Sequence, residues 1–111
     1  MTYGRRSYKK KRECSKKWME FVEVLKMTFN NVSVFQGCKV MVYFLNDEVE
    51  EFEFTDKKMT IVTKDGNELN YDHGDLYING EKLVPVCGEY EFVYGKRAGI
   101  KVYLKEYGGL C

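Results

Sequence analysis

The chain has 111 residues, of which 44% are hydrophobic, and its 18 basic and 17 acidic residues give a formal net charge of only +1. This length suits one domain with one hydrophobic core, and the apolar content excludes extended intrinsic disorder. The longest apolar run, Val40 to Leu45, is far shorter than the roughly 20 residues that span a bilayer. The N-terminus is charged rather than apolar, which is not typical of a secretory signal. We therefore expect a cytoplasmic protein with no membrane partner.

The four cysteines, Cys14, Cys38, Cys87 and Cys111, are too far apart in sequence to form a CxxC pair. In a reducing cytoplasm this spacing favours free thiols. Two alternatives stay open: a disulfide formed in an oxidising compartment, and a metal site built from distant cysteines with His73, the only histidine. The sequence itself predicts no metal site and no cofactor.

The first element is predicted to be an amphipathic helix from Ser7 or Cys14 to Phe29. Its apolar residues recur at spacings of three and four and form one stripe, namely Trp18, Phe21, Val22, Leu25 and Phe29. Ser7 is a candidate N-cap for the longer version. The positive charge of the segment opposes the helix dipole, however, so we expect fraying before about Lys11.

After Val32 the apolar period changes from helical to two, which predicts strands. Strand-length segments lie at 40–45, 50–54, 59–63, 68–71, 75–78, 83–86, 89–94 and 100–107. The first is apolar on both faces and should be central in its sheet or covered on both sides. In the second, the pattern predicts that Phe52 and Phe54 lie on a buried face and that Glu51 and Glu53 lie on a wet one.

Short turns separate these strands. The dipeptides Asp65-Gly66 and Asn79-Gly80 match two-residue hairpins, with weaker hairpin signals at Asn46-Asp47 and Asp56-Lys57. The predicted fold class is α+β: one N-terminal amphipathic helix packed on a sequential antiparallel meander of six to eight strands, either open or closed far enough to form a partial barrel. Pro85 is expected on an edge strand or at a bulge. Residues 1–13 are interpreted as a basic arm or frayed helix start, and residues 14–111 as a single domain.

Charge is distributed very unevenly along the chain. The first seventeen residues hold eight of the eighteen basic residues and one acid, Glu13. The candidate nucleic-acid-binding residues are Arg5, Arg6, Tyr8, Lys9, Lys10, Lys11, Arg12, Lys16 and Lys17. The cations can follow a phosphate backbone, and Tyr8 can stack on an unpaired base. A solvated tail is the alternative interpretation. If the last hairpin lies nearby, it would extend this surface with Lys96, Arg97, Lys101 and Lys105.

The opposite charge is concentrated between Val32 and Asp56, where Lys39 is the only cation. The acidic ridge, as we name it, consists of Asp47, Glu48, Glu50, Glu51, Glu53 and Asp56. One interpretation is that these carboxylates protect a strand from pairing with other chains. Another is that they bind a basic host protein, as an inhibitor of the kind that a phage or mobile element uses against host defence. A third is that the ridge contacts the arm of the same chain or of a second copy.

Catalytic chemistry has one candidate segment, Asp72-His73-Gly74-Asp75, which offers two carboxylates and an imidazole. It falls between two predicted strands, where Asp and Gly are typical of a turn. The sequence therefore predicts no catalytic residues and favours a small non-enzymatic interaction protein whose basic arm contacts nucleic acid or a nucleoprotein complex. The inhibitor that binds through the acidic ridge is the first alternative. A metal- or thiol-dependent enzyme is the second.

Overall fold

The computed structural model describes residues 14–35, 38–85, 90–95 and 97–106. One helix precedes the strands of the described chain, and a 3₁₀ turn at Asn46–Glu48 separates the second strand from the third. The elements in chain order are α1 (Lys16–Thr28), β1 (Val32–Phe35), β2 (Lys39–Phe44), β3 (Val49–Phe54), β4 (Lys58–Thr63), β5 (Glu68–Asp72), β6 (Asp75–Ile78), β7 (Glu81–Pro85), β8 (Tyr90–Gly95) and β9 (Gly99–Lys105).

The strands form two antiparallel sheets. The first, sheet A, has the order β1-β2-β9-β8, and the second, sheet B, has the order β3-β4-β5-β6-β7. The α+β class and the antiparallel pairing are confirmed. The predicted meander is confirmed for most of the chain, with two departures. The described residues form nine strands in two sheets instead of six to eight in one, and β9 inserts between β2 and β8. The fold is not a closed barrel.

Helix α1 begins at Lys16 because Ser15 caps it: the Ser15 hydroxyl accepts a hydrogen bond from the Trp18 amide at 3.1 Å. Ser15 itself is extended, so a helix running without interruption from Ser7 is wrong. The segment before Cys14, where fraying was expected, lies outside the described residues. The predicted apolar stripe is confirmed, since Trp18, Phe21, Val22, Leu25 and Phe29 are all buried.

The core lies between α1 and the inner faces of both sheets. Sheet A contributes alternate residues of β2 and β9, namely Val40, Val42, Phe44, Ile100, Val102 and Leu104. Sheet B contributes chiefly Met59, Ile61, Leu69 and Leu76. Strand β2 lies between β1 and β9, which confirms its predicted central position.

Most turn predictions are confirmed. Asn79 and Gly80 both have positive φ, 54° and 82°, as a tight hairpin between β6 and β7 requires. His73 and Gly74 also have positive φ, 48° and 93°, and connect β5 to β6 as a turn. The hairpin signal at Asn46-Asp47 was wrong: this 3₁₀ turn carries the chain from sheet A to sheet B.

The aromatic face of β3 is less buried than predicted, because β3 is an edge strand of sheet B. Phe52 and Phe54 pair with Ile61 and Met59 and so lie on the core side of the sheet. They nevertheless remain 42% and 48% exposed, because β3 has a strand neighbour on one side only. Pro85 lies on β7, the opposite edge of sheet B, as predicted.

A disulfide joins Cys14 to Cys38, with a Cα–Cα distance of 5.6 Å. The prediction of free thiols was therefore wrong for these two cysteines, because sequence spacing does not reveal that the start of α1 meets the start of β2. Cys87 and Cys111 lie outside the described residues. Of the helices in the described chain, none has the length and apolar character needed to cross a bilayer.

Candidate nucleic-acid interface

The outer face of sheet A carries alternating basic and aromatic side chains, opposite the face that forms the core. Antiparallel register places Lys39 opposite Lys105, Met41 opposite Tyr103 and Tyr43 opposite Lys101. From β1, Phe35 pairs with Lys39 on the same face. We name this surface the platform and define it as Phe35, Lys39, Met41, Tyr43, Lys101, Tyr103 and Lys105.

Lysine and tyrosine side chains contact one another across the platform. The Lys39 ammonium lies 4.8 Å from the centre of the Tyr103 ring, and the Lys101 ammonium lies 5.8 Å from the centre of the Tyr43 ring. Both distances are within the range of cation–π attraction. The tyrosines are half-buried and Phe35 is 46% exposed. The platform therefore places ammonium groups and aromatic rings side by side on one sheet face.

The helix start is fixed at one end of the platform by two connections. The disulfide links Cys14 to Cys38, the residue immediately before Lys39. The Ser15 amide donates a hydrogen bond to the Glu106 carboxylate at 3.0 Å, and the Ser15 hydroxyl donates another to the same carboxylate. Glu106 directly follows Lys105. Cys14 and Ser15 are therefore fixed to the domain where Lys39 and Lys105 lie.

The predicted nucleic-acid-binding residues divide into two groups. Lys16 and Lys17 are exposed on the first turn of α1, next to this attachment point. The others, Arg5, Arg6, Tyr8, Lys9, Lys10, Lys11 and Arg12, lie outside the described residues. Of the cations expected in the last hairpin, Lys101 and Lys105 are on the platform, and Arg97 is exposed in the turn between β8 and β9. Lys96 lies outside the described residues.

A cleft of about 380 Å³ opens at the Lys105 end of the platform. Its lining residues are Lys39, Tyr90, Glu91, Tyr103 and Lys105. The cleft brings the Lys39 and Lys105 side chains together with the Tyr103 ring, whereas the Tyr90 ring packs toward sheet B, against Phe54 and Tyr71. Glu91 is the acidic member of this lining and limits its positive charge.

The acidic ridge occupies the 3₁₀ turn, strand β3 and the turn after it. Glu50, Glu51 and Glu53 are exposed on β3 itself, and Glu50 lies at a bulge in the pairing with β4. Asp47 and Glu48 belong to the 3₁₀ turn, and Asp56 follows β3. These six residues therefore lie on β3, an edge strand of sheet B, and in the turns immediately before and after it.

An aromatic cluster connects this margin to sheet A. Ring centres of Phe54 and Phe92 are 4.2 Å apart, those of Phe52 and Phe92 are 5.3 Å apart, and Phe52 stacks on Tyr94 at 5.8 Å. Tyr90 completes the contact through Phe54 at 5.6 Å. The edge strands β3 and β8 thus meet through side chains.

A hydrogen bond at each end holds these two edges together. The Tyr90 hydroxyl donates to the Thr55 carbonyl at 3.1 Å, and the Asn46 side-chain amide donates to the Gly95 carbonyl at 3.4 Å. Burial raises the pKa of Tyr90, and the nearby Tyr71 and Asp56 raise it further. The phenol therefore keeps the proton that it donates to Thr55.

The remaining reactive groups of the described chain do not form a catalytic arrangement. The His73 ring contacts the Asp72 carboxylate at the exposed tip of the β5–β6 turn, 74% of the His73 side chain being exposed. Cys14, Cys38 and Glu106 place three potential metal-ligating atoms within 4.8 Å of one another. The two sulfurs are bonded to each other, however, and a thiolate is the form that binds a metal.

Sequence reasoning missed four platform residues: Phe35, Lys39, Met41 and Tyr43. Lys39 was counted only as the exception in an acidic region, and Phe35 lies in β1, a strand that was not predicted. Met41 and Tyr43 were interpreted only as part of a strand with two apolar faces. The available signal was the repeat Lys39-x-Met41-x-Tyr43 on one face of β2, matched by Lys101-x-Tyr103-x-Lys105 in the last strand. Only the pairing of β2 with β9 reveals that both repeats share one surface.

Comparison with known proteins gives no relative: no protein-family model, no curated protein and no solved structure matches the chain.

Proposed function

We propose that this protein is a non-enzymatic nucleic-acid-binding protein that holds a single strand on the platform of sheet A and on the basic segment attached beside it. The observation that carries the proposal is the attachment of Cys14 and Ser15 at the end of the platform where Lys39 and Lys105 lie. The exposed Lys16 and Lys17 follow this attachment point directly in sequence.

The chemistry of the platform favours single strands over duplexes. Aromatic rings on an open sheet face stack on unpaired bases, and each stacked base contributes about 1–3 kcal/mol. The ammonium groups of Lys39 and Lys101 now lie over the rings of Tyr103 and Tyr43. A base that stacks on either ring displaces the lysine from it, and the freed ammonium group can pair with the neighbouring phosphate. Neither contact reads the base sequence, so we expect weak sequence preference.

Fluorescence anisotropy with a labelled oligothymidylate of about 12 nucleotides tests the proposal. Binding by the full chain should weaken at least about fivefold in Tyr103→Leu, which removes one stacking ring, and further in Lys39→Gln/Lys101→Gln. The matched control is Lys57→Gln/Lys64→Gln, which removes two exposed lysines from the connections immediately before and after β4. Equal weakening in both lysine pairs would mean that the protein binds through its overall charge, and the platform assignment would be wrong.

A further inference from the structure

We propose a second binding site, at the free edge of β3, for an extended segment of a partner protein in which basic and apolar side chains alternate. Among the strands of the described chain, β3 pairs only with β4. Its other side faces β8 through aromatic side chains and through two hydrogen bonds made outside β3, at Asn46 and Thr55. The backbone N–H and C=O groups of β3 on that side therefore have no strand partner in the described chain, and an added strand can pair with them.

The two faces of β3 differ in chemistry. Phe52 and Phe54 lie on one face, and Glu51 and Glu53 lie on the other. Across from Glu51 and Glu53, β4 presents only Val62 and Thr60, which are uncharged. Within the described parts of the chain, neither glutamate forms a salt bridge. A partner strand with lysine or arginine beside these two carboxylates would supply the missing cations.

The aromatic face of β3 specifies the alternate residues of the partner. Phe52, Phe54 and Tyr94 are 42%, 48% and 58% exposed, although their rings contact one another or Phe92. Apolar side chains at every second position of an added strand would cover these rings. Because the side-chain period of a strand is two, the remaining positions fall on the glutamate face. The site therefore selects an alternating basic and apolar pattern.

A second copy of β3 is a poor occupant of this site. Antiparallel pairing of two β3 edges would place glutamates of one copy beside glutamates of the other, and like charges at cross-strand positions are destabilising. The exposed carboxylates at Glu50, Glu51 and Glu53 therefore disfavour pairing of this chain with itself through β3 while favouring a basic partner.

A labelled peptide of about seven residues, alternating lysine and valine, is the probe for this site. It should bind the full chain saturably at low salt, and Glu51→Gln/Glu53→Gln should weaken binding about tenfold or more. The matched control is Glu20→Gln/Glu81→Gln, which removes two exposed carboxylates from α1 and β7 and should change binding less than about twofold. All four glutamates are exposed, so both variants should fold, which their melting temperatures will check.

Two further measurements establish how the peptide binds. Hydrogen exchange should show increased amide protection in residues 49–54 on binding, and a peptide of the same composition with its lysines in one block should bind more weakly. Absence of that protection, or equal binding of the block peptide, would overturn strand addition. If a peptide of residues 1–13 outcompetes the alternating probe and the chain elutes as a dimer that high salt dissociates, the occupant is the arm of a second copy and the proposal is wrong.

Discussion

The Cys14–Cys38 disulfide should contribute a large part of the stability of this small domain. The bond joins residues 24 positions apart, and chain-entropy arguments give about 3.5 kcal/mol for closing a loop of that length. Unfolding entropy of about 2.1 cal/mol/K per residue converts this free energy into a fall of about 15 °C in melting temperature for a chain of this size. A fall of this size in the melting temperature is easy to measure.

The assay is thermal unfolding followed by circular dichroism, with and without a phosphine reductant. Reduction should lower the melting temperature by about 15 °C. Cys14→Ser/Cys38→Ser should lower it at least as far, because Cys38 is buried and serine places a hydroxyl in this apolar site. The matched control, Cys87→Ser/Cys111→Ser, should keep the response to reductant. A melting temperature that reductant leaves unchanged, or two titratable thiols in that control, would refute the disulfide.

Two further predictions concern the strand connections. Gly99→Ala should destabilise the fold by about 2 kcal/mol more than Gly66→Ala in chemical denaturation. Both glycines have positive φ, but a Cβ at Gly99 would lie 2.2 Å from the Phe44 carbonyl oxygen, whereas a Cβ at Gly66 would meet nothing within 4 Å. Equal losses of stability would mean that backbone strain alone determines the cost. Because the pKa of Tyr90 is raised in the folded state, its contribution to stability should be fully present below pH about 10 and should be lost as the pH rises above that value. The free energy of unfolding of Tyr90→Phe should therefore fall less over the same pH range. Parallel pH profiles for the two proteins would contradict the raised pKa.

Local features of the fold could be predicted from the sequence because short-range chemistry determines them. The stripe from Trp18 to Phe29 is set by helical periodicity, and the Asn79-Gly80 hairpin is set by the positive φ that its turn requires. The division into two sheets could not be predicted. It depends on β9 pairing with β2, more than fifty residues away, and no local pattern encodes that pairing.

The candidate sites also divide into those that are contiguous in sequence and those that depend on strand pairing. Charge counting identified the basic arm and the acidic ridge, because each is contiguous in sequence. The platform was missed because Lys39 and Tyr103 are brought together only by strand register. The exposure of Phe52 and Phe54 was also missed, since alternation predicts which face a side chain occupies but not whether the strand lies at an edge.

The salt dependence of oligothymidylate binding tests nucleic-acid binding by the platform most directly. For single strands the slope of log K against log salt changes by about 0.7 for each phosphate contact. Between about 50 and about 200 mM salt, Lys39→Gln/Lys101→Gln should therefore reduce the magnitude of the slope by about 1.4, while the Lys57→Gln/Lys64→Gln control keeps the wild-type slope. Absence of binding at the lowest salt, or identical slopes for all three proteins, would contradict the account.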